Sequence, residues 1–317
     1  MLLLLFANAL SVEARLSHGG ISADLHPAAG SSPFHYPRRV RASGWKVVAR
    51  GQFSDCTWQR VDYAGDHDET PALLIEPLSA SAEHRAPILM MIHGLGGRKE
   101  DLLPVARLAA QDGYASLLID LPDSGDRKPA VGPSFPTVSA FTDYVDAGLV
   151  ESVDDLGVGL DYLSLRPELD SDRVGVLGVS LGSFVAADFA GTDRRVKIAL
   201  LIASGGGLGE ILTYQRLASQ SAGGENQSLL AHTDAQALDR TLAPVDPLTY
   251  IARIAPRPLL MVNGAEDQII PPSAAQRLFG AAREPKEIDW FPGEGHVPSP
   301  LGIYASITVF LRAKMPA

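Results

Sequence analysis

An α/β architecture, with a mostly parallel twisted sheet, helices on both faces and a small helical insertion, is predicted by three features of this 317-residue sequence. Short, continuously apolar runs recur between Pro87 and Phe291, as expected of strands buried on both faces. Segments with apolar residues at three- and four-residue steps lie between them, which implies helical crossovers and parallel pairing. One connection, from Ser204 to Pro256, is far longer than a plain crossover needs.

Taken in order, residues 15 to about 43 mix Ser, Gly, Pro and Arg without a period and read as an arm ahead of a main domain at 44–317. Trp45 to Arg50, Cys56 to Tyr63 and Ala72 to Glu76 are β-rich runs separated by Gly, Asp and Pro, which suits antiparallel edge strands. Buried strands follow at Pro87 to Ile92, Ala115 to Ile119, Arg173 to Val179, Val196 to Ile202, Pro258 to Val262 and Glu287 to Phe291. Helical spacing marks Glu100 to Gln111, Asp146 to Leu165, Leu181 to Ala190, Ser273 to Ala281 and Leu301 to Lys314. The long connection, about 205–255, holds two helix-like pieces, Gly209 to Ser219 and Gln227 to Leu242. It reads either as a cap over the sheet or as an elaborated crossover that never meets substrate.

Composition narrows the function classes. Apolar residues make up 46% and charged residues 20%, enough for a large core without staples. The formal net charge of −10 repels phosphate backbones and argues against nucleic-acid binding. No run reaches the ~18–20 apolar residues of a membrane span, so no stable membrane insertion is expected. The apolar stretch Met1 to Leu10, with Val12-Glu13-Ala14 behind it, reads either as an atypical secretion signal or as an apolar arm, since no Lys or Arg precedes it. Cys56 is the only cysteine; an intrachain disulfide and a cysteine-based zinc site are excluded. Its strand-like surroundings make it a core residue rather than a nucleophile.

The sharpest chemical signal is Gly178-Val179-Ser180-Leu181-Gly182. As a bare pattern it recurs by chance, but here it joins a buried strand directly to a helix, the context of a nucleophile elbow. A reversal that tight strains the serine backbone and demands nearly bare positions two before and two after it. It also sets the Leu181 amide at a helix N-terminus, where it can donate to an anion. A serine hydroxyl needs a base held in one tautomer by a carboxylate. Of the eight histidines, His18, His26 and His35 fall in the arm, and His67 and His84 in polar loops before the parallel strands. His296, in Gly293-Glu294-Gly295-His296-Val297, follows the last strand and is placed at the same sheet edge as Ser180. The carboxylate is expected in Asn263-Gly264-Ala265-Glu266-Asp267, where Asp267 is favoured, Glu266 is the near rival and Asp246 a remote one. His93-Gly94-Leu95-Gly96-Gly97 follows another buried strand and supplies the flexibility of an oxyanion loop. The amides of Leu95 and Leu181 are the expected donors, with His93 ordering the loop by hydrogen bonding.

These motifs, with Asp120 and Gly125 in the loop after the second buried strand, make residues from about 70 to 314 resemble the α/β-hydrolase superfamily. The resemblance is to its esterase and dienelactone-hydrolase-like or serine-peptidase-like members. It implies an α/β-hydrolase fold and hydrolysis through an acyl-enzyme, with no metal and no organic cofactor. Three departures are informative. The oxyanion loop lacks three consecutive glycines after His93, which disfavours the hormone-sensitive-lipase type. Val179, not a histidine, precedes Ser180, unlike true lipases and cutinases. The nucleophile is neither Asp nor Cys, against dehalogenase, epoxide-hydrolase and strict dienelactone-hydrolase chemistry. The expectation is therefore a carboxylesterase acting on a small-molecule ester. A peptidase would use the same triad but need an acid for the substrate amino terminus, for which Asp234 and Asp239 are the only choices in the insertion. A non-catalytic binding protein is the remaining reading.

Overall fold

The computed structural model describes residues 32–34, 42–65, 68–221 and 233–317, excepting the side chains of Ala42 and residues 216–221. The apolar N-terminal stretch, His18, His26, His35, His67 and the centre of the long connection lie outside them.

Among the described residues nine strands form one sheet: β1 (Trp45–Gln52), β2 (Cys56–Ala64), β3 (Glu69–Pro77), β4 (Ala86–Ile92), β5 (Ala115–Ile119), β6 (Leu169–Val179), β7 (Val196–Ile202), β8 (Leu259–Gly264) and β9 (Lys286–Phe291). Their spatial order is β1-β2-β3-β5-β4-β6-β7-β8-β9. The first three pair antiparallel, and β3 meets β5 antiparallel. From β5 to β9 every pair is parallel. The mostly parallel α/β sheet predicted from the apolar runs is thus the one observed.

The helices are α1 (Leu103–Gln111), α2 (Val138–Leu163), α3 (Leu181–Thr192), α4 (Leu208–Ser221), α5 (Ala235–Leu242), α6 (Pro247–Tyr250), α7 (Pro272–Ala281) and α8 (Pro300–Lys314). They cover both faces, so alternate strand residues enter two cores. Ile88, Met90 and Ile92 of β4 join the layer that contains Leu156, Val185 and Leu278. Leu89 and Met91 join the layer built on Ala106, Ile307 and Phe310. All seven residues of β4 are buried, and each large apolar side chain there contributes roughly 1.5–3 kcal/mol of transfer free energy. Cys56 packs fully buried in the second layer, where burial pushes its thiol up to about 11.

Three starts show the largest differences from the sequence expectation. Helix α2 starts at Val138 rather than Asp146, because the Thr137 hydroxyl accepts the Ala140 amide and caps it. Strand β6 starts at Leu169 rather than Arg173, because Leu169 and Asp170 pair with Ala86 and Pro87 before the register shifts. Helix α5 starts at Ala235, since Asp234 takes the Gln236 and Ala237 amides as its cap; Thr233 and Asp234 are not helical, and the expected start at Gln227 lies outside the described residues.

The parallel strands share one polarity, so the turns after β4, β6 and β8 emerge at one edge. Those turns carry His93, Ser180 and Asp267, and the turn after β9 carries His296.

Candidate active site

Ser180 joins β6 to α3 with φ 56° and ψ −120°. A non-glycine residue held there stores of order 1–3 kcal/mol, which its surroundings must sustain. The Ser180 amide donates to the Ile202 carbonyl at 2.9 Å, and its carbonyl accepts the Ser183 amide at 2.8 Å and the Ser183 hydroxyl at 2.5 Å. A Cβ on Gly178 would run into the Gly182 backbone, and one on Gly182 into the carbonyls of Ile92 and His93. Both glycines are therefore dictated by the closeness of strand, helix and the neighbouring β4 turn.

His296 lies between Ser180 and Asp267. Its Nε2 is 2.8 Å from Ser180 Oγ, and its Nδ1 is 2.8 Å from Asp267 Oδ2. A carboxylate only accepts, so Nδ1 carries the proton and Nε2 is left to accept from the serine hydroxyl. The second oxygen of Asp267 accepts the amides of Ile269 (2.7 Å) and Ile270 (2.9 Å), which fixes the carboxylate rotamer. The two loops are stitched together by backbone. Ala265 donates to the Phe291 carbonyl and Glu266 to the Glu294 carbonyl, each at 3.0 Å. Only a residue without a Cβ fits at Gly264, which lies against the Gly295 carbonyl.

The rivals sit elsewhere. The Glu266 side chain is exposed beside the buried Asp267. Asp246 is occupied by the amides of Leu208 (2.7 Å), Gly207 and Leu248, and so caps α4 and α6.

His93 is buried under the β4 turn. The Leu121 amide donates to its Nε2 at 3.2 Å, so the Nδ1 proton goes to the Gly94 carbonyl at 2.7 Å. Burial lowers its pKa and keeps it neutral. Gly94 passes so close that a Cβ there would sit 3.2 Å from Ser180 Cβ, and Gly96 has φ 72°. Behind this turn Lys99 is fully buried, its amide and Nζ both on the Asp120 carboxylate at 2.8 and 2.6 Å. Burial pulls the Lys99 ammonium down, but Asp120 and Asp126 outweigh it and hold the pKa above its usual value. Gly125, at φ 52°, lies so near the Asp120 carboxylate that a Cβ would overlap it.

A cavity of about 130 Å3 opens beside Ser180, roughly ten times the space one water needs by this measure. Leu95 and Leu181 border it next to Ser180, and its far walls come from α2, α3 and α4. The contribution of α2, through Phe141, Tyr144 and Gly148, was not read from the sequence. The only local sign of it is a glycine inside a helical run, and such a residue marks a close approach or an open space. From the long connection, Leu208, Ile211 and Leu212 also line the cavity.

Among the described residues no three His, Cys, Asp or Glu side chains gather as metal ligands, and no helix is long and apolar enough to cross a membrane.

A family model for the α/β hydrolase family matches residues 89–302, more than half of the sequence. The chain belongs to the α/β-hydrolase family. The YfhR protein of Salmonella typhimurium is 27% identical over 165 residues, covering 49% of this chain and 51% of that relative. The chain thus spans about half the length of that relative. The YitV protein of Bacillus subtilis is 24% identical over 197 residues, 62% of this chain and 74% of its own. Among solved structures, an acetyl xylan esterase from Paenibacillus sp. R4 superposes with a TM-score of 0.67 at 22% identity, over 86% of this chain and 88% of that one. A cold-adapted esterase from an Arctic intertidal metagenomic library gives 0.60 at 19% identity, over 85% and 98%. At these identities the superpositions establish a shared α/β-hydrolase fold.

Proposed function

We propose that this α/β-hydrolase is a serine carboxylesterase that cleaves short- to medium-chain esters through an acyl-enzyme. The observation that carries the reading is the pair of 2.8 Å contacts running from Asp267 through His296 to Ser180. In the proposed reaction His296 Nε2 takes the Ser180 proton as Oγ bonds to the ester carbonyl carbon. The carbonyl oxygen becomes an oxyanion, which the amides of Leu95 and Leu181 receive; losing one such donor typically costs ~10²–10³ in rate. Collapse breaks the bond to the alkoxide, which leaves with the proton from Nε2. Water then gives a proton to the same nitrogen and attacks the acyl-serine. The carboxylic acid departs and Ser180 regains its proton. Asp267 stabilises the imidazolium at both stages.

The ester reading is favoured over a peptidase by the position of two acids. Asp234 caps α5, and Asp239 accepts the Gly209 amide at 2.7 Å, so both are engaged by backbone. None of the residues lining the cavity is charged. The test is fluorophosphonate labelling together with hydrolysis of nitrophenyl esters by the native and Ser180→Ala proteins. Labelling at Ser180 and a fall in turnover on the order of 10⁴ or more are expected. Labelling at another residue, or turnover retained without Ser180, would sink the assignment.

A further inference from the structure

We infer that the cavity beside Ser180 receives the acyl part of the ester, that its preferred acyl group is an uncharged aliphatic chain longer than acetyl, and that Gly148 sets how long that chain can be. The inference rests on Ser180 being the nucleophile.

Three observations carry it. The first is where the cavity lies. The departing alkoxide must meet His296 Nε2 to take its proton, so the alcohol part of the ester has to lie on the His296 side of Ser180. Ser180, Leu95 and Leu181 border the cavity, but His296 is not among its described walls. Acyl and alcohol parts leave the tetrahedral carbon in different directions, so the cavity falls to the acyl part.

The second is the chemistry of the walls. No wall residue carries a charge, and its polar side chains are turned to partners in the protein. Ser124 donates to the Pro122 carbonyl, Tyr144 to Asp123 at 2.6 Å, Ser152 to the Gly148 carbonyl at 2.6 Å, and Gln215 to the Ile269 carbonyl at 3.2 Å. What faces the space is mostly apolar, so a hydrocarbon chain gains by entering and a charged one loses its water without an ionic replacement.

The third is the glycine. Gly148 sits well inside α2, where glycine is an unfavourable helix former. A Cβ built on it meets no atom within 4 Å. Packing against the protein therefore does not require a glycine there; the room it leaves belongs to the cavity it borders. Gly280 in α7 is equally open but borders no part of this cavity, and it serves as a matched control.

The experiment measures kcat/KM for two substrate series on the native protein and on Gly148→Ala, Gly148→Leu and Gly280→Leu. One series varies the acyl chain from acetyl to decanoyl on nitrophenol; the other varies a linear alcohol on one fixed acyl group. Each methylene that enters an apolar pocket adds about fourfold to kcat/KM. The native protein should therefore prefer a butanoyl to octanoyl ester over acetyl. Gly148→Leu should lower the octanoyl-to-acetyl ratio on the order of 10²-fold, with Gly148→Ala between, while the alcohol series keeps its native profile. Gly280→Leu should leave both profiles unmoved. A native preference for acetyl, a Gly148→Leu acyl profile like the native one, or truncation in the alcohol series instead would each overturn the inference. If Gly148→Leu fails to fold, the ratio in Gly148→Ala decides. Failure of the esterase reading is distinct: the native protein would then hydrolyse neither series and Ser180 would escape fluorophosphonate.

Discussion

Asp267 holds His296 with one carboxylate oxygen, at 2.8 Å from Nδ1, while its other oxygen is tied to the amides of Ile269 and Ile270. The acid is 2% exposed and cannot swing away, whereas Glu266 next to it points to solvent. Asp267→Asn would present an amide whose donor end faces Nδ1, favouring the wrong imidazole tautomer. Under the proposed mechanism kcat falls by up to ~10⁴. Glu266→Gln leaves kcat within about twofold, because a solvated side chain away from the imidazole contributes little. Steady-state rates on one nitrophenyl ester rank the two, and a reversed order would transfer the orienting role to Glu266.

The loop over Ser180 depends on a buried ion pair. Lys99 and Asp120 are both fully buried and meet at 2.6 Å, and Asp120 also accepts the amides of Lys99 and Asp126. Asp120→Ala leaves an ammonium buried without its main partner, and unfolding free energy should drop by about 3–5 kcal/mol. The joint change Lys99→Met with Asp120→Asn removes the stranded charge and should cost less than Asp120→Ala alone. Urea midpoints at a constant slope measure both. Equal losses would mean that the backbone hydrogen bonds, not the charges, hold the loop.

How much of this could be read from the sequence depends on whether a feature is local. The elbow was legible because its pattern is local, with Gly178 forced by the Gly182 backbone four residues on, although Gly182 itself is forced by the distant carbonyls of Ile92 and His93; β4 was legible because all of its residues are buried at once. The first turns of α2 were not. Phe141 and Val145 line the cavity while Asp143 between them is exposed, and only the Thr137 cap announces the start. The start of β6 was hidden because Asp170-Ser171-Asp172-Arg173 has the composition of a turn, yet Leu169 and Asp170 pair with β4. The cavity was the least legible part. Its walls come from segments tens of residues apart, and no local pattern states that Gly148 faces Ile211 and Leu95 across the same space.

A buried carboxyl gives a stability signature against pH. Asp155 is pushed up to about 6, chiefly by burial, although Arg127 at 2.7 Å pulls it down. Its unfolded value is ~3.9, so between these two pH values the folded protein holds the proton more tightly than the unfolded chain. Stability from this group is therefore fully present only below about pH 4, and it is lost as pH rises through about 6. Asp155→Asn has no proton to exchange. On going from about pH 7 to about pH 4, native stability should gain roughly 1–3 kcal/mol relative to this variant. Denaturant unfolding of both proteins across that range measures the difference. A constant difference would mean that Asp155 stays ionised in the fold.

The long connection between β7 and β8 bears on whether the proposed esterase would work at an oil surface. A lipase lid must offer a broad apolar face to the interface when open, and surface binding grows with the apolar area it buries there. Here Ile211 and Leu212 of α4 and Leu238 and Leu242 of α5 are all buried, and the first two face the cavity. Charged residues interrupt the apolar positions: Glu210 pairs with Arg277 on α7, and Asp239 is bound to the Gly209 amide. The apolar side chains described in α4 and α5 are thus already spent on the protein's own packing. The net charge of −10 further disfavours an anionic surface. Hydrolysis of a short-chain triglyceride should follow a hyperbola in dissolved substrate and stay flat as the solubility limit is crossed. A sharp rise in rate at the first appearance of emulsion would show that the connection opens at interfaces, and would move this site to the lipases.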